Sequence, residues 1–541
     1  LKKILKIKSF YPHAISKENL EFYQYLSLHY FIDSGMVYKM ALQQYPTSDI
    51  KNYFTYQNQI STSQKDLMKK FSLSSKSWKD LIASKTISQT SKSFLFEKIA
   101  KPIVLNDVQS KIFHSIWKKE NMSFGTHLID GVTGSGKTEL YFKLIEENLS
   151  IGKQTLVLLP EIALTEEWSK RFFEYFGCEP FIWHSKQTKQ QKSRILRSLL
   201  SGEPCVIVGA RSAVLLPFQN LKLIICDEEH DSSYKQEEGP RYHAKDMAIY
   251  KAKCNDAICT LVSASPSLET LYNLKSKKII SHKLLSQFHK TELPEIDVID
   301  MNTSKPSSKS WISKQIYDET LKNLKNKNQV LFFLNRRGYA PTKICANCHA
   351  AVQCQHCAVN LVYHKRIDRL ICHHCSSFYE PQQICKMCSS DKFISLGIGL
   401  ERLQEEVERL FPGYQSQVFS SDTLRSKKNK KILMKEIFDQ QTNLLIGSQI
   451  IGKSFHFPNL KLVNIIDGDS SLFSPDFRAM EKTYQLLQQV AGRSGREGER
   501  GKVLIQTYNP QHPIFESIKN QNRDDFISME LSRREQNHLP P

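Results

Sequence analysis

Short apolar runs alternate with polar turns and longer amphipathic stretches in two separate parts of the chain. In the first part the runs predict strands at His127–Asp130, Gln154–Leu159, Cys205–Val208, Leu221–Cys226 and Thr260–Ser263. In the second part they predict strands at Val330–Leu334, Gln417–Phe419, Asn443–Ile446, Leu462–Ile466 and Val503–Thr507. Continuous apolar strands separated by helical periodicity are typical of parallel sheets with helices on both faces. The pattern therefore predicts an α/β fold with two parallel-sheet lobes.

The remaining segments differ in composition from these two lobes. Residues 19–96 are rich in aromatic residues and helix formers and then in Lys and Ser, which is typical of a small helical domain followed by a linker. A cysteine-rich segment interrupts the second lobe after its first strand. The predicted bounds are 97–290 for the first lobe, 291–343 and 390–509 for the second, and 344–389 for the cysteine-rich insert.

The charge of the chain indicates a polyanionic partner. Its 541 residues include 75 Lys or Arg against 55 Asp or Glu, a formal net charge of +20. We find no apolar run of about 18 residues and no basic amphipathic anchor, so we expect no membrane partner. The first ten residues alternate Lys with apolar residues and lack the core of a signal peptide, which predicts a cytoplasmic protein.

A phosphate-binding motif follows the first predicted strand. The pattern G-x-x-x-x-G-K-[ST] is matched by Gly131, Val132, Thr133, Gly134, Ser135, Gly136, Lys137 and Thr138. The backbone N–H groups of such a turn and the N-terminus of the helix that follows it bind phosphate. Lys137 is expected to reach the β- and γ-phosphates, and Thr138 to ligate Mg²⁺. The alternative, a chance glycine-rich turn, is disfavoured by the flanking strand and helix.

An acidic motif and a pair of arginines complete the predicted chemistry of an ATP-driven motor that works on nucleic acid. Asp227 directly follows a buried strand and is expected to hold Mg²⁺ through water, while Glu228 activates the attacking water as a general base. Arg493 and Arg496, three residues apart, are expected to act as arginine fingers on a γ-phosphate between the two lobes. The alternative for the arginines is a basic helix terminus.

Eight of the thirteen cysteines form four C-x-x-C pairs within 44 residues. The pairs are Cys345/Cys348, Cys354/Cys357, Cys372/Cys375 and Cys385/Cys388. Two such knuckles make one tetrahedral Zn²⁺ site, so the cluster predicts two structural zinc ions. The 14-residue gap between the second and third pairs is close to a zinc-ribbon spacing, which joins these two and leaves the first with the fourth. Four sulfurs fill each site, so His356, His373 and His374 are expected beside the metal or at the surface.

The order of these motifs resembles the PriA family of bacterial replication-restart helicases, which are superfamily 2 motors, from about residue 20 onward. The resemblance also rests on Leu159–Thr165, Gly209–Ala213, Asp227–His230, Ser263–Glu269, Asn335–Pro341 and Gln489–Arg496. It implies two RecA-like lobes with the nucleotide in the cleft between them, the same nested zinc pairing, and a winged-helix-like domain within residues 19–96. It further implies that residues 1–18 are a remnant of an N-terminal DNA-binding domain and that 510–541 begin a C-terminal domain.

The resemblance also implies an activity and further site residues. The activity is that of an ATP-dependent 3′→5′ DNA helicase that recognises stalled or abandoned forks and initiates primosome assembly and replicative-helicase loading. The expected partners are forked and single-stranded DNA, single-strand-binding protein and helicase-loading proteins, and the chain is expected to be a monomer. Gln109, in a segment with Asn106, would read adenine, and Gln489 would contact the nucleotide. DNA contacts are implied for Arg211, Tyr234, Lys235, Arg241, Tyr242, Arg336 and Arg337.

Aromatic rings in the segment after the acidic motif would stack on bases while its cations meet phosphates. The alternative is that Tyr234 and Tyr242 pack in the core. Leu400 and Ser454 depart from the residues that the family usually has, which predicts altered coupling of hydrolysis to movement. Two other functions also fit the motifs: a DNA translocase that does not separate strands, and a non-motor zinc-bearing adaptor at the fork. The intact ATP motifs disfavour the adaptor.

Overall fold

The fold is described from a computed structural model of the chain. It describes residues 15–42, 53–56, 59–61, 74, 88–90, 100–118, 123–132, 134–160, 162–184, 187–236, 238–284, 294–306, 310–334, 343–348, 352–356, 361–364, 369–372, 377–381, 384–395, 400–419, 437, 442–448, 457, 459–469, 472, 476–492, 494 and 500–540. The chain divides into two compact units, Leu1–Phe288 and His289–Pro541.

The first unit combines an N-terminal part with the first predicted lobe. Its elements are α1 (Lys17–His29), α2 (Ser34–Leu42), β1 (Tyr53–Tyr56), β2 (Gln59–Ser61), β3 (Ser88–Thr90), α3 (Asp107–Ile116), β4 (Gly125–Gly131), α4 (Lys137–Ser150), β5 (Gln154–Leu158), α5 (Ile162–Phe176), β6 (Phe181–Trp183), α6 (Lys189–Leu200), β7 (Val206–Gly209), β8 (Leu221–Asp227), α7 (Ala244–Cys254), β9 (Ile258–Ser263), α8 (Leu268–Lys275) and β10 (Ile280–Leu284). Two short 3-10 helices, Arg211–Leu215 and Ser232–Tyr234, flank β8.

The described strands β4 to β10 form one parallel sheet in the order β10-β4-β9-β8-β5-β7-β6. All five strands predicted for this lobe are present, which confirms the α/β prediction. The two unpredicted strands, β6 and β10, lie at the edges of the sheet. β6 has three residues and β10 is half exposed, so neither carries the continuous apolar run that marks a strand buried on both faces. Helix starts are capped by side chains, as at Thr188 before α6 and Ser267 before α8.

The N-terminal part packs on this lobe through its helices. Phe22, Tyr23 and Leu26 of α1 are fully buried and belong to the same apolar core as the strands of the sheet. β1, β2 and β3 form a small antiparallel sheet in the order β2-β1-β3. The described residues between 19 and 96 thus contain helices and a short sheet, but they do not establish a winged helix.

The second unit contains the second lobe and the cysteine-rich insert. Its elements are β11 (Glu295–Asp300), α9 (Lys314–Lys325), β12 (Gln329–Leu334), β13 (Lys343–Cys345), β14 (Val362–His364), β15 (Arg369–Ile371), β16 (Phe378–Tyr379), β17 (Phe393–Ser395), α10 (Leu400–Leu410), β18 (Ser416–Phe419), β19 (Leu444–Gly447), β20 (Leu460–Asp467), α11 (Ala479–Ala491), β21 (Lys502–Thr507), α12 (Pro513–Lys519) and α13 (Arg523–Gln536).

Six of these described strands form a second parallel sheet in the order β11-β21-β20-β12-β19-β18. The five strands predicted for this lobe are again present, and the unpredicted β11 is an edge strand with only two buried residues. One face of the sheet packs against α9 and α10, and the other against α11, α12 and α13. Ile514, Phe515 and Phe526 of the last two helices are buried in the same core as β12. These helices therefore add to the second lobe.

The insert is a separate small layer. β13 and β17 pair antiparallel, so the beginning and the end of the insert lie side by side. β14, β15 and β16 form a second antiparallel sheet over a small core that includes Cys354, Leu370 and Cys372. Throughout the part of the chain that is described, the helices are too short or too polar to span a bilayer.

Candidate nucleotide site and cysteine cluster

The phosphate-binding loop runs from the end of β4 to the start of α4. Gly134 and Gly136 have φ angles of 80° and 79°, a left-handed conformation that glycine adopts without strain. Nζ of Lys137 donates to the carbonyl oxygens of Gly131, at 2.7 Å, and Val132, at 3.0 Å. The side chain of Ser135 is buried and Thr138 is half-buried in the first turn of α4. The ammonium therefore lies at the turn where a phosphate-bearing ligand would meet backbone N–H groups.

The side chain of Gln109 supports the backbone of the phosphate-binding loop. It is fully buried on α3, and its Nε2 donates to the carbonyl oxygens of Gly136, at 3.1 Å, and Ser135, at 3.4 Å. Its Oε1 accepts from the backbone N–H of Asn106 in a capping box. Both ends of the amide thus bind the protein's own backbone. Gln109 therefore braces the loop, and its predicted contact with adenine stays a prediction.

Asp227 at the end of β8 is tied to the helix that follows the loop. Its Oδ2 accepts from the hydroxyl of Tyr141 at 3.0 Å, and that hydroxyl accepts from Nε1 of Trp168 at 2.8 Å. Burial, with a further contribution from the Glu228 carboxylate, raises the pKa of Asp227 to about 6. Tyr141 lies three residues after Thr138, on the same face of α4. Tyr141 interacts with both predicted magnesium ligands, Thr138 and Asp227. A cation bound beside Asp227 would offset the cost of burying its charge.

Glu228 has an unusual backbone and an accessible side chain. Its φ is 48°, and its side chain is 37% exposed. Its Oε2 lies 3.7 Å from Nδ1 of His230, and the same nitrogen is 2.7 Å from Oγ of Ser263. The backbone N–H of Ser265 donates to that hydroxyl. The acidic motif is thereby connected to the Ser263–Ser265 segment at the end of β9.

Glu229 makes a buried ion pair that sequence reasoning missed. Its Oε2 is 2.8 Å from Nζ of Lys245, and it also accepts from Oγ1 of Thr270 at 2.9 Å. Its Oε1 accepts from the backbone N–H of Ser267 at 2.7 Å. Burial would lower the pKa of Lys245, but the Glu229 carboxylate outweighs it and raises that pKa. The motif Asp-Glu-Glu-His marked Glu229, whereas no pattern in the sequence marked Lys245.

The predicted base-stacking role of Tyr234 and Tyr242 is contradicted by their burial. Tyr234 is 0% and Tyr242 2% exposed. The hydroxyl of Tyr234 lies 2.8 Å from the carbonyl oxygen of Leu158 and 2.6 Å from that of Asp227, and it can donate its one proton to either of them. Its ring fills the space between the ends of β5 and β8, so neither face is open to a base. The core-packing alternative is the correct one for these rings.

The cations of the same region are accessible. Lys235 and Arg241 are exposed, and Lys235 bridges to His243 so that residues 235–243 form a closed loop. Arg211 is half-buried, and its Nη1 donates to the carbonyl oxygen of Lys235 at 3.0 Å. Arg211 and the closed loop therefore lie together, with exposed positive charge that can meet phosphates.

Several predicted site residues fall outside the described part of the chain. These are Thr133, Arg336, Arg337, Cys357, Cys375, Ser454, Arg493 and Arg496. Gln489 lies half-buried in the last turn of α11, and Leu400 begins α10 and packs on the core of the second lobe. The roles assigned to all of these residues stay predictions.

The first and fourth cysteine pairs meet in one cluster. The Sγ atoms of Cys345, Cys348, Cys385 and Cys388 all lie within 4.8 Å of one another. The backbone N–H groups of Cys348 and Asn347 lower the pKa of Cys345 to about 6, which favours the thiolate that binds metal. This is the nested pairing, and four sulfurs converging on one point fit a tetrahedral Zn²⁺ ion.

The second and third pairs are described in part. Cys354 and Cys372 are both buried in the small core of the insert. Sγ of Cys354 lies 3.1 Å from the hydroxyl of Tyr379 and accepts from the backbone N–H of His356 at 3.4 Å. His356 itself is exposed, as expected.

Two family models match the chain at the sites described above. A DEAD/DEAH box helicase model matches residues 106–274, which include the phosphate-binding loop and the acidic motif. A PriA DNA helicase Cys-rich region model matches residues 354–377, which include the second and third cysteine pairs.

Proteins named replication restart protein PriA are similar over most of the chain. The protein from Rickettsia conorii is 44% identical over 415 residues, 76% of this chain and 64% of that protein. Those from Haemophilus influenzae and Bacillus subtilis are 39% and 37% identical over 80% and 83% of this chain, and 58% and 56% of their own lengths. The chain therefore spans between 56% and 64% of the length of these three relatives. With its helicase motifs and its cysteine-rich region in the same order along the chain, it is homologous to the PriA proteins over the part that it shares with them.

Proposed function

We propose that this chain is an ATP-hydrolysing DNA helicase of superfamily 2 that acts in replication restart, moving 3′→5′ at stalled or abandoned forks. The observation that carries the proposal is the link between the phosphate-binding loop and the acidic motif, in which Asp227 accepts from Tyr141 on the helix that Lys137 and Thr138 begin. A binding module or scaffold has no need of a buried carboxylate bound to the helix that follows a phosphate loop.

The residues have distinct roles in the proposed hydrolysis. Lys137 and the loop hold the β- and γ-phosphates, and Thr138 and Asp227 hold Mg²⁺, which neutralises phosphate charge when it is bound. Glu228 orients the attacking water and takes its proton. The carboxylate of Glu228 is accessible while the neighbouring Glu229 is buried as an anchor, which supports a catalytic role for Glu228 and a structural role for Glu229. Arg493, Arg496 and Gln489 are proposed to complete the site at the γ-phosphate.

DNA is the proposed polyanionic partner. Arg211, Lys235 and Arg241 would contact its phosphates, and Arg336 and Arg337 are proposed to do so from the second lobe. The names of the relatives support replication restart, with forked and single-stranded DNA, single-strand-binding protein and helicase-loading proteins as proposed partners. A monomeric, cytoplasmic protein is part of the same proposal.

The insert is proposed to hold two structural zinc ions. The cluster of Cys345, Cys348, Cys385 and Cys388 fits one ion, and Cys354 and Cys372 with their two motif partners would hold the other. Metal analysis of anaerobically purified protein is expected to give two zinc ions per chain. A ratio near one would leave only the described cluster occupied, and a ratio near zero would refute both sites.

DNA-stimulated ATP hydrolysis and fork unwinding test the proposed activity together. The chain should hydrolyse ATP faster with single-stranded DNA and should separate a forked duplex whose 3′ single strand it can enter, but not the 5′ counterpart. Stimulated hydrolysis without strand separation would indicate a translocase. An absence of stimulated hydrolysis would refute the motor and favour a zinc-bearing adaptor.

A further inference from the structure

Helix α1 holds the backbone of the turn that carries Arg211. The hydroxyl of Tyr23 donates to the carbonyl oxygen of Leu215 at 2.8 Å, and Nδ2 of Asn19 donates to that of Phe218 at 2.5 Å. Both bonds are buried, and both join residues more than 190 positions apart in sequence. The first acceptor belongs to the 3-10 helix Arg211–Leu215, and the second follows it by three residues. The path of the chain after Arg211 is therefore fixed by side chains of α1.

A buried lysine supports the same turn between these two bonds. Nζ of Lys251, on α7, donates to the carbonyl oxygen of Leu216 at 2.7 Å. The ammonium lies 4.4 Å from the ring centroid of Phe22 on α1 and 5.5 Å from that of Phe218. The side-chain nitrogen is fully buried between these two rings, and burial lowers the pKa of Lys251 to about 7. The turn is thus bound at three carbonyls, those of Leu215, Leu216 and Phe218, by α1 and by a lysine that α1 covers.

Tyr30, the residue after α1, binds the base of the loop 235–243, which carries the exposed Lys235 and Arg241. The hydroxyl of Tyr30 accepts from the backbone N–H of His243 at 3.1 Å. His243 closes the loop 235–243 through its bridge to Lys235, so this bond lies at the base of the loop with the exposed cations. Arg211 in turn donates to the carbonyl oxygen of Lys235. Tyr23 and Tyr30, seven residues apart, therefore fix the two elements relative to each other.

These contacts continue to the acidic motif. The hydroxyl of Tyr234, next to Lys235, lies 2.6 Å from the carbonyl oxygen of Asp227. We propose that α1 is a positioning element, in which the hydroxyls of Tyr23 and Tyr30 set the spacing between Arg211 and the loop 235–243 so that one DNA strand can meet both. This inference rests on the proposed function, because DNA is its ligand.

Phenylalanine substitutions test the positioning role of the two hydroxyls separately from the packing of the two rings. Tyr23→Phe and Tyr30→Phe keep the rings and remove the two bonds, which leaves the Leu215 carbonyl without the hydroxyl donor and the His243 N–H without the hydroxyl acceptor. The double variant should bind single-stranded DNA about five- to tenfold more weakly, because part of the binding energy must then restore the spacing that the two bonds fixed. The DNA concentration that half-saturates ATP hydrolysis should rise by the same factor. Hydrolysis without DNA and the affinity for ATP should not change.

Tyr25→Phe is the matched control on the same helix. The hydroxyl of Tyr25 contacts only the exposed His29 in the described structure, and its ring stacks on Tyr250 with centroids 3.4 Å apart, a contact that phenylalanine keeps. This variant should bind DNA like the unmodified chain. Urea unfolding of all variants shows whether any loss of affinity comes from a loss of fold.

The salt dependence of DNA binding is the readout that a purely structural role would not move. If Arg211 and the cations of the loop 235–243 no longer meet the same DNA strand, one phosphate contact is lost. The magnitude of the slope of log K for DNA binding against log [salt] should then fall by about one in the double variant. Affinity and slope equal to those of the unmodified chain, at equal stability, would overturn the inference and leave the proposed function intact. An unmodified chain whose ATP hydrolysis ignores DNA would instead refute the proposed function, and this inference with it.

Discussion

The strands β8 and β20 occupy comparable places in the two lobes and end in different ways. Both begin with Leu-Lys-Leu, both are almost completely buried, and both end in aspartate, Asp227 in one and Asp467 in the other. After β8 come Glu228, Glu229 and His230, whereas after β20 come Gly468 and Asp469. One strand framework thus supports two different sets of carboxylates.

The contacts of these carboxylates explain the difference in use. Asp469 is 4% exposed and accepts from Oγ1 of Thr507 at 2.6 Å, from the backbone N–H of Tyr508 at 2.7 Å and from Nδ2 of Asn509 at 3.0 Å. All three donors lie at the end of the neighbouring strand β21, so this carboxylate joins two strands. In the first lobe Glu229 has the anchoring role, which leaves Glu228 accessible for chemistry. The comparison shows that Glu228, for which we propose the reactive role, is accessible because a separate carboxylate beside it holds the backbone.

The largest effect should follow from removing the reactive carboxylate. Glu228→Gln should lower DNA-stimulated ATP hydrolysis by about 10²- to 10⁴-fold, because the amide cannot take a proton from water. Asp469→Asn, which changes the anchoring carboxylate of the second lobe, should retain hydrolysis within a few-fold at a temperature where it is folded. Steady-state hydrolysis measures both. Equal losses in the two variants would break the comparison.

The next effect concerns the anchor. Glu229→Gln should lower the free energy of unfolding by about 3–5 kcal/mol, since it leaves the ammonium of Lys245 buried without its counter-charge. Urea unfolding measures the loss. The double variant Glu229→Gln/Lys245→Met should recover a large part of it, because no buried charge then remains. A single variant as stable as the unmodified chain would contradict the anchoring role.

The first lobe should also be sensitive to acid. Nδ1 of His127 on β4 lies 3.0 Å from Nε2 of His282 on β10, and burial, followed by the charge of His282, lowers the pKa of His127 to about 4. A folded-state pKa below the unfolded value means that this stability is present above pH 6.5 and is lost as pH falls toward 4, by about 3 kcal/mol at most. Tryptophan fluorescence can follow this, because four of the five tryptophans lie in the first unit.

Replacing the exposed His114 with glutamine is the control for acid sensitivity and should leave the acid transition unchanged. If the double variant His127→Gln/His282→Gln unfolds over the same pH range as the unmodified chain, the histidine pair does not cause the acid sensitivity.

The smallest effect should follow from Asp469→Asn on stability. The amide keeps one acceptor oxygen but turns an N–H₂ group toward one of the donors, so the free energy of unfolding should fall by about 1–3 kcal/mol. Urea unfolding with a matched exposed change, Asp525→Asn on α13, separates this from a general effect of charge. A loss as large as that in Glu229→Gln would show that the two lobes rely equally on their acidic anchors.

The sequence was sufficient for features that depend on local pattern. Nine of the ten predicted strands are mostly buried and carry continuous apolar runs, whereas the tenth, β18, is a half-buried edge strand. The glycine and cysteine motifs identified their turns directly. The edge strands β6, β10 and β11 were missed because a strand that is exposed or very short lacks that run. The four cysteines of the described cluster were paired correctly from the spacing of their knuckles.

Contacts between distant residues could not be predicted in this way. Tyr234 is buried because its hydroxyl meets Leu158, 76 positions away, and an isolated Tyr-Lys-Gln segment is equally compatible with an exposed, base-stacking ring. Gln109 follows a capping pattern that does not reveal that its amide also reaches Gly136. Lys245 lies in a helix with ordinary periodicity, and only the fold brings it to Glu229.

The pairing of β13 with β17 has a consequence for how the cysteine-rich insert can vary. Lys343 lies opposite Ser395 and Cys345 opposite Phe393, and Sγ of Cys345 is 3.4 Å from that of Cys388. An insert whose first and last strands pair with each other can be lengthened, shortened or exchanged without changing the direction of the strands in the lobe that carries it. The four cysteine sulfurs join the two ends of the insert, so the residues between these ends form a module that natural variation or engineering can replace.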